Sequence, residues 1–83
     1  MYEIEVSDLA FRQLHKLDKS IQERIGAVLE RIKIRPQDFV EKLVGESGFK
    51  LRVGDYRVFL DIESNKLIIY VIEIRHRKNA YKK

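Results

Sequence analysis

Residues 49–53, 56–62 and 67–74 are three runs of β-branched, aromatic and aliphatic side chains, and the links between them are too short for anything but hairpin turns. Gly54-Asp55 joins the first pair and Glu63-Ser64-Asn65-Lys66 the second, both rich in residues that accept turn geometry. An antiparallel meander follows. Its last run is apolar at odd and even positions alike, so it belongs inside a sheet with a further strand on its free edge. Residues 2–6, Tyr-Glu-Ile-Glu-Val, alternate apolar and acidic side chains and are the candidate for that strand.

Between these strands the pattern turns helical. Ser7 or Asp8 caps a first helix, in which Ala10, Leu14 and Leu17, joined by Phe11, make one apolar stripe. Asp18-Lys19 breaks it. Ser20-Ile21-Gln22-Glu23 has the form of a capping box and predicts the start of a second helix, with Ile21, Ile25, Val28, Leu29 and Ile32 continuing the stripe. Arg35-Pro36 stops it, because the residue before a proline is pushed out of the helical region. Residues 37–48 contain two glycines and predict a surface connection with Phe39 and Leu43 turned inward. The chain is therefore expected to be one α+β domain over residues 1–83, with an antiparallel helix hairpin packed on one face of the sheet.

With 83 residues there is room for one core. Hydrophobic residues at 45% and charged residues at 36% are a globular composition. The absence of Cys excludes disulfides and thiolate metal sites and fits a reducing cytoplasm. Acidic residues at positions 3 and 5 do not make a secretory signal, and no apolar run reaches membrane-spanning length, so a cytoplasmic protein without membrane contacts is expected. Charge is unevenly spread. Residues 1–46 carry eight Lys/Arg against nine Asp/Glu, whereas residues 47–83 carry nine against four. A solvated lysine tail accounts for part of that excess at Lys78, Lys82 and Lys83.

The rest has a geometry. A two-residue Gly54-Asp55 loop pairs Val53 with Tyr56, Arg52 with Arg57, Leu51 with Val58 and Lys50 with Phe59. Lys50, Arg52 and Arg57 then share one face, and the opposite face, Phe49, Leu51, Val53, Val58 and Leu60, goes to the helices. Like charges directly opposite each other on neighbouring strands are unfavourable by about 0.2–1 kcal/mol. An anionic partner offsets this, since guanidinium groups present a fixed fork of donors to phosphate oxygens. If Ile62 pairs with Leu67, Phe59 and Tyr70 lie beside these cations, where rings can stack unpaired bases. Each ring alone more often caps a core. Beyond the last strand, Arg75-His76-Arg77-Lys78-Asn79-Ala80-Tyr81 is a basic segment, and Arg75, His76 and Lys78 join Arg52 and Phe59 as candidate RNA-binding residues. His76 can exchange a proton near neutral pH, although a histidine between two arginines is commonly a plain surface residue. His15 stands among Arg12, Gln13 and Lys16 and is expected to be exposed. Phosphate-loop glycines, Cys nucleophiles and His-rich metal spacing are absent from the sequence.

Lys42-Leu43-x-Gly45, Lys50-Leu51-Arg52-Val53-Gly54-Asp55-Tyr56-Arg57-Val58 and Ile74-x-His76-Arg77-x3-Tyr81, in that order, resemble the RelE/ParE toxin superfamily, and more closely its RelE branch. The likeness spans nearly the whole chain and implies the same strand, helix hairpin and meander. It implies a ribosome-dependent mRNA endonuclease, the toxin of a type II toxin–antitoxin pair, which enters the ribosomal A site and cuts without metal or cofactor by attack of the 2′-hydroxyl on the adjacent phosphate. By position, Lys50 matches a proton-transfer lysine, Arg57 and Arg77 match arginines that hold the scissile phosphate, and Tyr81 matches a tyrosine that activates or stacks on the RNA. Gly48 stands where some relatives have a second lysine, which leaves Lys50, Tyr81 and His76 as alternatives for the general base. The implied partners are an acidic, partly disordered antitoxin, the ribosome and mRNA. A ParE-like inhibitor of DNA gyrase and a catalytically silent nucleic-acid or antitoxin-binding module are the competing functions.

Overall fold

The computed structural model describes residues 1–80. Five strands, β1 (Glu3–Val6), β2 (Glu41–Lys42), β3 (Phe49–Val53), β4 (Tyr56–Glu63) and β5 (Ile68–His76), form one sheet in the order β1-β5-β4-β3-β2. Helices α1 (Asp8–His15) and α2 (Lys19–Ile32) form the hairpin after β1, a 3-10 turn follows at Pro36–Asp38, and a single helical turn, α3 (Arg77–Ala80), follows β5. As the doubly apolar pattern of the last strand predicts, β5 is interior, antiparallel to β4 on one side and parallel to β1 on the other.

One side of the sheet carries Leu51, Val53, Val58, Leu60, Ile69, Val71 and Ile74, which close on Ala10 of α1 and Ile25, Leu29 and Ile32 of α2 to make the core. Burying each such aliphatic side chain contributes about 1.5–3 kcal/mol. Leu14, Leu17, Ile21 and Val28 flank that core, so the predicted stripe is the observed one. Phe11 departs from it. At 55% exposure it lies outside the core, its ring 4.2 Å from that of exposed His15.

Local chemistry sets the helix ends. The Ser7 hydroxyl accepts a hydrogen bond from Ala10 N at 3.0 Å and caps α1. The capping box expected at Ser20 does not form. α2 starts two residues earlier than that box requires, with Asp18 as its cap and Lys19 its first residue, because the Asp18 carbonyl takes the Ile21 and Gln22 N–H groups at 2.9 and 3.0 Å, which puts Ser20 inside the first turn. The Gln22 side chain donates to Leu17 O at 2.8 Å and ties the junction between the helices. α2 ends at Ile32, ahead of Pro36, and Lys33 O accepts from Tyr2 N at 2.9 Å, anchoring the entry to β1.

Three further departures concern the sheet. The connection over residues 37–48 contains β2, whose Glu41 and Lys42 pair with Lys50 and Phe49, and Phe39 is 44% exposed rather than turned in. The β4–β5 loop is residues 64–67, with Leu67 at φ 57, so Ile62 meets Ile69 instead of Leu67. An irregularity then leaves Ile72 without an opposite number, because Phe59 faces Glu73 and Leu60 faces Val71. Tyr70 consequently stands opposite Asp61, away from the arginines, and Arg75 and His76 belong to the strand rather than to a tail beyond it.

Candidate nucleic-acid site

The sheet face turned away from the helices is built in rows, one residue from each strand. The predicted β3–β4 register is observed, and β5 extends it. Arg52, Arg57 and Arg75 form one row, and Glu41, Lys50, Phe59 and Glu73 form the next. Neighbouring strands lie about 4.8 Å apart, so three arginines occupy a strip roughly 10 Å wide. Such a row is unfavourable unless each charge is answered.

Each answer differs. Arg57 is 6% exposed, and its Nη1 donates to Gly54 O and Tyr56 O, both at 2.9 Å, while its Nε has no hydrogen-bond partner among the described residues. Arg75 grips Glu73 with a fork, Nε to Oε2 at 2.7 Å and Nη2 to Oε1 at 3.2 Å, and its guanidinium lies 5.7 Å from the centre of the Phe59 ring. The hydrogen bond that Arg75 donates to Glu73 raises the Arg75 pKa above its ordinary value, so this cation does not titrate in any physiological range. Arg52 is exposed. In the next row Lys50 Nζ lies 3.6 Å from Glu41 Oε1.

Lys50, Phe59, Ile72, Glu73 and Arg75, with residues of the 41–48 segment, line a concavity of about 630 Å³. The ring of Phe59 lies between Lys50 and Glu73, with the arginine row alongside. Arg77 opens α3 at the turn end of the sheet. Its N–H donates to Asp55 O at 2.7 Å and its Nε lies 3.7 Å from Asp55 Oδ1, so the Gly54-Asp55 turn engages both Arg57 and Arg77. His76 goes to the other face. It is the register partner of Tyr56, the two rings meeting edge-on at 5.2 Å, and its Nδ1 accepts from Lys78 N at 3.2 Å. Lys78 is exposed on α3, and Tyr81 lies outside the described residues. Of the residues singled out in the sequence, the structure thus gathers Lys50, Phe59 and Arg75 round one hollow, puts Arg52 and Arg57 in the row beside it and Arg77 at the Gly54-Asp55 turn, and separates His76.

Sequence reasoning missed the carboxylates. Glu41, Glu73 and Asp55 each meet a candidate cation. The spacing Glu73-x-Arg75 carried the signal, since residues two apart on a strand share a face. Among the described residues no group of three or more His, Asp or Glu is placed to hold a metal ion, and no helix is long and apolar enough to cross a membrane.

The family model described as the ParE toxin of type II toxin–antitoxin systems, parDE, matches residues 4–81. No curated protein sequence matches the chain. Among solved structures, the toxin–antitoxin complex RelBE2 from Mycobacterium tuberculosis contains a chain that is 27% identical, with a TM-score of 0.78 over 92% of this chain and 98% of that one. The archaeal RelE–RelB complex from Pyrococcus horikoshii gives 20% identity and a TM-score of 0.78 over 95% and 98%. The intact E. coli RelBE complex gives 22% identity and 0.75 over 92% and 96%. The order of strands and helices is theirs, and the match of the family model extends from the first strand to beyond the last. This chain belongs to the RelE/ParE superfamily of type II toxin–antitoxin toxins and has the RelE-like fold.

Proposed function

We propose that this toxin is a metal-independent endoribonuclease that cuts mRNA in the ribosomal A site. The observation that carries the reading is the pair of adjacent rows, three arginines beside a lysine and an aromatic ring, on a concave face that the helices leave open. Cleavage by a neighbouring 2′-hydroxyl needs negative charge on the phosphoryl oxygens stabilised by cations already in place, and a ring on which the unpaired base stacks. In this reading Arg57 and Arg77 hold the scissile phosphate, and Arg52 and Arg75 bind the flanking backbone. Lys78 touches the strand beyond, while His76, turned to the opposite face against Tyr56, takes no part; Phe59 stacks a base, and Lys50 transfers a proton. Tyr81 completes the set by resemblance. The reading makes the toxin a cytoplasmic protein whose second partner is an acidic antitoxin covering the same cations, as a polyanion competes for them with RNA.

Purified toxin added to translating ribosomes is expected to cut the message at codon intervals, leaving 2′,3′-cyclic phosphate and 5′-hydroxyl ends. Arg77→Ala should lower the rate by about 10²–10³-fold with an unchanged melting curve. Intact message together with stalled gyrase cleavage complexes in a supercoiling assay would move the chain to the gyrase-poisoning class. Intact message with neither activity would leave a binding module.

A further inference from the structure

We propose that Glu73 is the catalytic base of this cleavage and that Lys50, on the far side of the Phe59 ring, is the acid. The inference rests on the nuclease reading and adds to it the residue that removes the 2′-proton.

Displacement at phosphorus is in line, so the base must stand beside the attacking oxygen and the acid beside the leaving oxygen, on opposite sides of the phosphate. The register supplies this pair. Lys50, Phe59 and Glu73 are successive members of one cross-strand row, so the carboxylate and the ammonium flank a flat apolar floor, their backbones roughly 10 Å apart with both side chains on the same sheet face. Both line the same concavity. The arginine row lies next to it along the strands, with Arg75 and Arg57 beside Glu73 and Phe59, where the charge of a five-coordinate phosphorus would develop.

Other carboxylates line the hollow, but they are less fixed. Glu41 is 70% exposed on a two-residue edge strand, and Glu46 sits in an exposed loop. Glu73 is 26% exposed on an interior strand, and the Arg75 fork holds both its oxygens. Each carboxylate oxygen accepts more than one hydrogen bond, so the fork orients Glu73 and leaves a lone pair for a hydroxyl. Arg75 in turn rests on Phe59, which fixes the base relative to the stacking floor. His76, the other proton carrier on this strand, lies on the opposite face against Tyr56.

The step balances. Glu73 takes the 2′-hydroxyl proton as the 2′-oxygen bonds to phosphorus, the bond from phosphorus to the 5′-oxygen breaks, and Lys50 gives that oxygen a proton. The products are a 2′,3′-cyclic phosphate and a 5′-hydroxyl, and solvent exchange returns a proton from Glu73 to Lys50.

Single-turnover cutting of ribosome-bound message across a range of pH tests this, with wild-type toxin run first. An inert wild type overturns the nuclease reading and this proposal together. With an active wild type, Glu73→Gln should lower the saturated rate by about 10²–10⁴-fold and abolish the acid limb of the pH profile. It should bind a message carrying a 2′-deoxyribose at the cut position as tightly as wild type does. A wild-type rate, a retained acid limb, or a loss that higher toxin concentration restores overturns the proposal, the last because it means Glu73 only steadies Arg75. Should Glu73→Gln fail to melt cooperatively, Glu73→Asp decides. A slower rate with the acid limb intact supports the base, and an unchanged rate excludes it.

Discussion

Gly48 and Gly54 sit on either side of β3 with φ of 105 and 58, conformations that an L side chain resists. A Cβ at Gly54 would come 2.9 Å from Arg24 Nη1, the far end of a side chain that can swing away, so Gly54→Ala should cost about 1–2 kcal/mol, nearly all from backbone conformation. At Gly48 the nearest atom is the backbone oxygen of Leu60 at 3.3 Å, which cannot move without disturbing β4, and Gly48→Ala should cost about 2–3 kcal/mol. Urea denaturation of both variants checks the order, and a smaller loss at Gly48 would show that contact to be slack. Arg57 needs similar care. Arg57→Ala removes the donors to Gly54 O and Tyr56 O and should cost about 1–3 kcal/mol of stability as well as activity, so a melting curve must accompany any rate measured on it.

At the scale of elements, the seam between α1 and β5 is the feature that makes the last strand long enough to carry the site. β1 covers β5 only through Val71, and beyond that point α1 supplies the partners: Ser7 Oγ donates to Ile72 O at 2.7 Å, and Gln13 Oε1 accepts from Ile74 N at 2.7 Å. Ser7 thus serves a helix cap and a strand irregularity at once. Ser7→Ala should cost about 1–2 kcal/mol and speed amide exchange in residues 72–76 ahead of the rest of the sheet. Uniform exchange along β5 would refute the seam. The meander, its first hairpin register, the interior place of β5 and both helix stripes were legible because alternation and turn residues specify them locally. The irregularity at Ile72 was not, since the hydroxyl that meets its carbonyl belongs to a serine 65 residues away. Nor was a turn closed by Leu67 at positive φ, or a two-residue strand held only by pairing to β3. Those misses moved Tyr70 out of the site and brought Glu73 in beside Arg75.

The exposed sheet face, taken whole, is graded in charge. Its arginine row gives way to Lys50 and Glu73, then to Glu5, Tyr70 and Asp61, and last to Glu3, Ile68 and Glu63. The sequence disclosed the basic half through its uneven composition, while the acidic end emerged only when β1 was set beside β5. A polyanion is drawn to one end of this gradient and turned from the other. Removing one phosphate contact on a single strand reduces the slope of log affinity against log salt by about 0.7. Arg52→Gln and Arg75→Gln should each do so in titrations of fluorescent single-stranded RNA, whereas Asp61→Asn should tighten binding at low salt without lowering the slope. Equal effects from all three would mean that binding is diffuse.

The parallel pairing of Glu3–Val6 with residues 68–71 also orders events in time. The first strand to leave the ribosome has no neighbour until the last has been made, and the arginine and lysine rows lack Arg75 and Glu73 until then. Contacts that span so much of a chain form late. On the nuclease reading, a growing polypeptide of this kind spares the machine producing it, because the two rows are completed only after translation has passed Arg75.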